Sequence, residues 1–473
     1  MTESGIAAVG AYVPALRITG DELADGWGRF KGGAISEKAV PDADEDTVTM
    51  AYEAGRRALD AGSLSGSDID ELLFASTRLP MAEEELTGHL GKMLGVPSES
   101  TRMTITGSTA AGVQALARAV RSNERTLVLA SDAPQGKPEE AIEHAAGAGA
   151  AAFILKPDAP LIATDTAERS SPYPGTRFRK AGSETIDSLE VTPYERQAFA
   201  RLLTSAAADL EYDPDAIEAA AVHAPDGRLP YRAAGPLGIE PSAIKIAALV
   251  DEIGDAGAAD VPLALAAAVV KGYNSILAAG YGSGATATLI SFERTEAELP
   301  ARVALDGEQY LTFAEYIRRR GDVTSGAPEG GGGYVSIPTW KRSLAQRYRL
   351  EAGRCCECGA LNFPPNGACL ACRELVAYDP VELSRNGTVE ALSVISQGGA
   401  PPEFAELQAA YGGAYTTGIV AFDGPDGDSA SAPVLLVGTE NEDIAVGDRV
   451  EATIRRIYTQ EGVTRYGIKV QRK

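Results

Sequence analysis

With 473 residues, 44% apolar and 23% charged, the chain has ordinary globular composition and room for several cores at roughly 150 residues per domain. A net charge of −23 argues against a nucleic-acid phosphate backbone as partner, and its dispersed acidic surface suits a salt-rich cytoplasm, the plainer reading being an acidic enzyme. There is no run of about 18 apolar residues to predict a membrane span, and the opening MTESGIAAVGAYVP lacks the pattern of a signal peptide, so the expected compartment is the cytoplasm.

In chain order, strand-like runs IAAVGAYV (6–13), DELLFAS (70–76), TLVLAS (126–131), AAAFIL (150–155) and ATATLISF (285–292) alternate with helical stretches at 46–62, 109–122, 193–210 and 261–270. This alternation predicts an α/β fold with helices packed on sheets. Two halves are expected, 1–165 and 166–323. The second closes on YLTFAEYIRRRGD (310–322), read as a short amphipathic helix. A Gly- and Pro-rich linker at 324–336 follows. The stretch 337–353 reads as an Arg-rich helix, grouped with a cysteine cluster in a segment 337–380. From 381 to 473, five short β runs separated by Gly, Asn and Asp turns predict a small all-β barrel of OB type.

All five cysteines lie between 355 and 372. Cys355-x2-Cys358, ten residues, then Cys369-x2-Cys372 is the spacing of two knuckles that share one tetrahedral Zn2+. Gly359 permits the tight turn of the first knuckle. A disulfide pair or redox dithiol is the competing reading, disfavoured in a cytoplasm. Four thiolates leave no open position, so the expected zinc is structural, and Cys356 is a bystander.

The segment RYRLEAGRCCECGALNFPPNGACLACRE and the β runs behind it resemble the acyl-CoA-associated zinc-ribbon/OB family. The resemblance implies a rubredoxin-like zinc ribbon and an adaptor role beside thiolase-fold enzymes. An OB barrel can also bind nucleic acid, but the acidic balance and lack of interleaved basic and aromatic residues count against that. Residues 1–325 resemble archaeal-type 3-hydroxy-3-methylglutaryl-CoA (HMG-CoA) synthases through GIAAVGAYVP (5–14), EKAVPDADEDTVTMA (37–51), ASDAPQG (130–136), VHAPDGRLP (222–230), AAGYGSGATA (278–287) and YLTFAEYIRRRGD (310–322). That resemblance implies a five-layered thiolase sandwich, a homodimer, and acyl-CoA as ligand or substrate.

The same resemblance implies a nucleophilic Cys, an acid/base carboxylate and a His–Asn pair. Here the nucleophile position is Thr109, in Thr109-Ala110-Ala111-Gly112, and the acid/base position is Thr77. The Gly-Asn pair appears as Gly254-Asp255, and only His223 is kept. A hydroxyl at Ser108 or Thr109 needs an adjacent base to attack a thioester. His223 is either that base or a structural imidazole. Gly282-Ser283-Gly284 marks a close backbone approach to the coenzyme A site, or simply a tight turn. Three functions follow. The first is an acyl-CoA-binding protein working with a thiolase or synthase partner. The second is a CoA-thioester lyase or retro-aldolase using His223 and Asp255. The third is an HMG-CoA synthase, an acyltransferase.

Overall fold

The computed structural model describes residues 4–322, 336–396, 400–438 and 444–473. Nearly all of the expected linker, 324–336, lies outside the described residues. The chain divides into two compact units. Unit 1 comprises 1–41 and 46–313, and unit 2 comprises 42–45 and 314–473.

The strands of unit 1 are β1 (Ser4–Tyr12), β2 (Leu16–Thr19), β3 (Glu37–Val40), β4 (Glu71–Ala75), β5 (Thr101–Ile105), β6 (Thr126–Asp132), β7 (Gly149–Pro157), β8 (Leu161–Tyr173), β9 (Ala219–Val222), β10 (Ser275–Gly282), β11 (Gly284–Arg294), β12 (Ala301–Ala304) and β13 (Gln309–Tyr310). The main sheet runs β5-β4-β6-β7-β1-β8-β11-β10-β9, with β12 also paired to β1. It consists of two mixed runs joined where Gly5 and Ile6 of β1 meet Ile162 and Leu161 of β8. Strands β4 and β6 are buried along their whole length. Continuous apolar runs of this kind belong to strands covered on both faces.

Small residues set the spacing between layers. Helix Asp260–Val270 carries DVPLALAAAVV and buries ten consecutive residues, from Asp260 to Val269. A Cβ on Gly112 would come within 2.1 Å of the Ala258 carbonyl, so helix Ala111–Val120 approaches at backbone distance. Helix Thr47–Ala61 opens on a capping box in which Asp46 accepts from the Val48 and Thr49 N–H groups and Thr49 Oγ1 accepts from Asp46 N–H.

Two boundaries fall elsewhere than expected. The sheet's two runs part between β7 and β8, so residue 165 lies four residues inside β8, whose register with β11 runs from Arg294↔Leu161 to Gly284↔Tyr173. Residues 42–45 group with unit 2, because their carboxylates sit on its buried cations. Asp44 Oδ2 lies 2.7 Å from Lys469 Nζ, both fully buried, Glu45 Oε1 lies 3.2 Å from Arg455, and Asp42 Oδ1 lies 2.7 Å from Arg319.

Unit 2 begins at Ala314, just inside helix Phe313–Arg319, continues through helix Ile337–Arg349, and then turns to strands. The second helix stops short of the expected residue 353. Leu350 adopts a left-handed cap (φ 51°), and β14 (Glu351–Cys355) pairs with β16 (Tyr378–Glu382) and β15 (Leu361–Asn362). The remaining strands, β17 (Asn386–Ile395), β18 (Tyr415–Asp423), β19 (Ser429–Leu436), β20 (Arg449–Gln460) and β21 (Val463–Arg472), close into a barrel ordered β17-β18-β19-β21-β20. Each overlaps one of the five β runs read from the sequence. No helix among the described residues is long and apolar enough to cross a membrane.

Candidate functional site

The turn after β5 delivers Thr109 to the start of helix Ala111–Val120. Thr109 is buried, and its Oγ1 donates 2.9 Å to the Tyr281 carbonyl. Ser108 Oγ accepts from Ala110 N–H. The Gly282-Ser283-Gly284 turn passes directly over this point. A Cβ on Gly282 would fall 1.8 Å from Ser108 Oγ, and Gly284 has φ 110°, so both positions require glycine.

Thr77, just beyond β4, is tied to Asp132 at the end of β6. Its N–H and Oγ1 reach Asp132 Oδ2 at 3.1 and 2.5 Å, and the same oxygen accepts 2.9 Å from Ala258 N–H. Asp132 Oδ1 accepts from Ala133 N–H, and the side chain is fully buried. This carboxylate is a saturated junction between two strand ends and a turn. It leaves the Thr77 hydroxyl committed as a donor.

His223 follows β9 and is 3% exposed. Its backbone N–H donates to the Ala279 carbonyl, and its ring Nδ1 lies 3.2 Å from Asp260 Oδ2. That oxygen also accepts 2.5 Å from Ala224 N–H. Burial pushes the Asp260 carboxyl up, against the hydrogen bond and charge of His223. The ring stands at ion-pair distance from this carboxylate, while Nδ1 makes no geometrically good hydrogen bond among the described residues.

Asp255 lies beside this pair but serves a different neighbour. Its Oδ2 is 2.5 Å from Arg177 Nη1, and its Oδ1 accepts 2.8 Å from Gly257 N–H. Burial pushes its carboxyl up, but Arg177 and His223 outweigh this and hold it below the usual carboxylate range. An ionised, paired carboxylate of depressed basicity is a poor proton acceptor. Asp255 is held in place through its backbone, whose N–H donates to Ala145 O and whose carbonyl accepts from Gly147 N–H.

The adjoining segment is also polar and buried. Lys38 Nζ and Glu143 Oε1 pair at 3.2 Å, each about 3% exposed. His144 Nδ1 accepts 2.8 Å from Lys31 N–H, and the ring stacks on Phe30 at 5.5 Å. Burial, then Lys38, pull the His144 imidazole down to about 4.

The second site is the four-cysteine cluster of unit 2. The sulfurs of Cys355, Cys358, Cys369 and Cys372 lie within 4.8 Å of one another. Cys355–Cys372 and Cys358–Cys369 stand at 3.9 and 3.6 Å. Zn–S bonds of about 2.3 Å in a tetrahedron require sulfurs about 3.8 Å apart, so the donor set fits Zn2+. Cys358 N–H points at Cys355 Sγ, and buried Asn362 donates to Cys369 Sγ while its Oδ1 accepts from Leu370 N–H. Such outer contacts orient the thiolates. Cys356 is exposed and outside the four.

Residues 342–376 match a family profile described as ChsH2, rubredoxin-like zinc ribbon domain. The hydroxymethylglutaryl-CoA synthase of Methanopyrus kandleri is 29% identical over 350 residues, covering 67% of this chain and 97% of the relative. That of Archaeoglobus fulgidus is 29% identical over 349 residues, covering 67% and 98%. The solved structure of MvaS in complex with 3-hydroxy-3-methylglutaryl coenzyme A superposes with TM-score 0.59 at 18% identity, over 70% of this chain and 95% of that one. This chain joins an HMG-CoA synthase-like thiolase fold to a ChsH2-type zinc ribbon. The same fold appears in 3-oxoacyl-(acyl carrier protein) synthase III from Pseudomonas aeruginosa, with TM-score 0.56 at 15% identity, over 63% and 99% of the two chains.

Within the synthase-like unit, contiguous hydrogen bonds link Thr77 through Asp132 to Ala258, and Gly257 to Asp255 and Arg177. A separate contact links Thr109 to the Gly282 turn. Sequence reasoning missed Asp132, Asp260 and Arg177. Asp132 lies in the quoted ASDAPQG stretch, and its carboxylate at the end of a buried strand was a usable signal. Nothing local marks Asp260 or Arg177.

Proposed function

We propose that the synthase-like unit binds an acyl-CoA thioester without forming a cysteine-linked acyl-enzyme, and works with a thiolase or synthase partner through its ribbon and barrel. One observation carries this reading. Residues 1–354 hold no cysteine, and the two hydroxyls at the family's reactive positions are committed as donors, Thr109 to Tyr281 O and Thr77 to Asp132. A hydroxyl attacks a thioester only when a base takes its proton, and neither of these hydrogen bonds ends on a base free to do so. The Thr109 acceptor is a carbonyl. Coenzyme A as ligand is supported by solved neighbours of this fold in complex with HMG-CoA and with CoA.

The His223–Asp260 pair favours a second reading, a CoA-thioester lyase of retro-aldolase type. That chemistry needs a base and an oxyanion site but no covalent acyl-enzyme. His223 would take the proton of a β-hydroxyl while the Cα–Cβ bond breaks. The synthase reading suggested by the relatives' names requires an acyl carrier, which unit 1 would have to find on Ser108 or Thr109. In the same proposal the Zn2+ is structural, the barrel is an OB-fold, the protein is a cytoplasmic homodimer adapted to high salt, and nucleic acid is not a partner.

The test is incubation of the zinc-loaded full chain at high salt with acetyl-CoA and acetoacetyl-CoA, followed by equilibrium binding and free-thiol release. Saturable binding with no CoA release supports the proposal. Steady CoA release from the pair of substrates establishes the synthase. Release of a ketone or aldehyde from a 3-hydroxyacyl-CoA establishes the lyase.

A further inference from the structure

Three carboxylates, Asp44, Asp428 and Glu195, have an oxygen buried without a hydrogen bond among the described residues. Asp44 pairs with Lys469 and Asp428 with Arg354, each through its other oxygen. Glu195 differs from both, because its side chain has neither a hydrogen bond nor an ion pair among the described residues. A buried acceptor left unpaired forfeits its hydration without return. Such a carboxyl, placed beside a reactive centre, is a candidate for proton transfer.

Glu195 stands in the first turn of helix Thr192–Ala207. Phe199, one helical turn further along the same face, packs edge-on against Tyr281 with ring centroids 5.2 Å apart. Tyr281 in turn touches both parts of the site. Its ring centroid lies 6.3 Å from that of His223, and its carbonyl accepts the Thr109 hydroxyl at 2.9 Å. The Tyr281 hydroxyl is buried and makes no geometrically good hydrogen bond among the described residues. Burial pushes that hydroxyl up, Thr176 opposes this, and the charge of Glu195 adds to it. Burial, with Glu190 adding to it, likewise pushes the Glu195 carboxyl above its ordinary 4.5. The titratable groups around the pair are Glu190 from the segment before the helix, Tyr194 on the helix and Tyr173 on β8, with Arg201 reaching the Tyr173 hydroxyl at 3.5 Å.

Thr77 leaves unit 1 without a carboxylate at the family's acid/base position. We infer that Glu195 supplies that function from a different element, as the group that moves a proton to and from Cα of a bound thioester. The inference rests on the lyase reading of unit 1. In the cleavage direction His223 takes the β-hydroxyl proton, and the O–H electron pair becomes the second bond of the new carbonyl. The Cα–Cβ pair passes into the thioester enolate, and the Glu195 carboxyl gives its proton to Cα. The products are a ketone or aldehyde and the shortened acyl-CoA. His223 is left as imidazolium and Glu195 as carboxylate, and one proton passing between them through solvent restores both. A carboxyl raised by burial keeps more of the acid form near neutrality, which suits it to that donation.

The test follows the reverse of the last transfer, exchange of the Cα hydrogens of acetyl-CoA for deuterium, by proton NMR on the zinc-loaded full chain in D2O at high salt. Exchange needs a base at Cα but neither a thiol nor a second substrate. The acetyl methyl signal should fade, at a rate that climbs with pH through a window above 4.5 as the Glu195 carboxylate forms. Glu195→Gln should slow exchange about 100-fold, the contribution expected of one positioned base, with acetyl-CoA affinity unchanged by calorimetry. Glu195→Asp should recover part of the rate. Full exchange in folded Glu195→Gln overturns the inference, and acetaldehyde released from 3-hydroxybutyryl-CoA by that variant leaves the lyase reading standing. Exchange lost in His223→Asn but kept in Glu195→Gln gives the role to His223. Exchange that depends on Glu195, without acetaldehyde release, upholds the assignment and removes the lyase reading. Absence of exchange in the unaltered protein overturns the inference, and acetaldehyde release from the same sample then decides the lyase reading by itself.

Discussion

The two units treat sulfur in opposite ways, although both bury ion pairs. Unit 1 has no thiol, and Thr109 and Thr77 bind a carbonyl and a carboxylate. Unit 2 packs four thiols within 4.8 Å. Residue type alone does not assign a role. The sulfurs form a zinc-ribbon donor set, while in the proposed reading unit 1 is left with the imidazole of His223. The two tryptophans make the contrast measurable, because Trp27 lies in unit 1 and Trp340 in unit 2, where Arg347 and Arg465 stack on its ring at 4.5 and 5.1 Å.

The largest expected effect is metal removal. Chelation of Zn2+ should remove on the order of 10 kcal/mol from the ribbon and shift Trp340 emission, leaving Trp27 emission in place. A ribbon that keeps its fold without metal would erase the contrast. Next is the buried pair of the barrel. Lys469→Met strands the Asp44 carboxylate in a fully buried position, and should cost about 3–5 kcal/mol in denaturant unfolding followed at Trp340. Pairing it with Asp44→Leu should recover most of the loss.

Acid should separate the units further. His144 is held to about 4 when folded against an ordinary 6.5, so between those values the unfolded chain takes up a proton that folded unit 1 refuses. Unit 1 therefore loses stability as pH falls from 6.5 to 4, by on the order of 2 kcal/mol. Asp42 does the reverse. Burial and the neighbouring Asp44 push it to about 6, so between pH 6 and 3.8 folded unit 2 keeps a proton that the unfolded chain has released, and unit 2 gains as pH falls. Burial raises Asp44, but Lys469 and Arg455 outweigh it and hold its carboxyl low, so Asp44 opposes the trend only below about 3.8. Melting curves at pH 6.5 and 4.5 read at each tryptophan should move in opposite directions. Parallel movement would show that these two groups do not dominate.

The legibility of the sequence follows the range of the interactions. Runs such as TLVLAS and AAAFIL were visible as strands because both faces are buried and the apolar signal is continuous. Strand β8, LIATDTAERSSPY, was not, because it is largely polar and its conformation comes from pairing with β11 more than 100 residues away. The zinc site was readable because its four ligands fall within eighteen residues. The Thr77–Asp132 and Arg177–Asp255 contacts span 55 and 78 residues, with no local pattern to announce them. The helix from 337 was carried too far because Leu350 is a strong helix former placed, here, in a left-handed cap.

The smallest effect concerns Thr109 itself. Thr109→Val deletes one donor to the Tyr281 carbonyl and should cost about 1 kcal/mol in unfolding read at Trp27. The most direct measurement is the intact mass of the full chain, quenched during exposure to acetyl-CoA and acetoacetyl-CoA, with peptide mapping of 106–112. The account predicts an unchanged mass and no accumulating free CoA. An acetyl group on Ser108 or Thr109 during steady CoA release would contradict it.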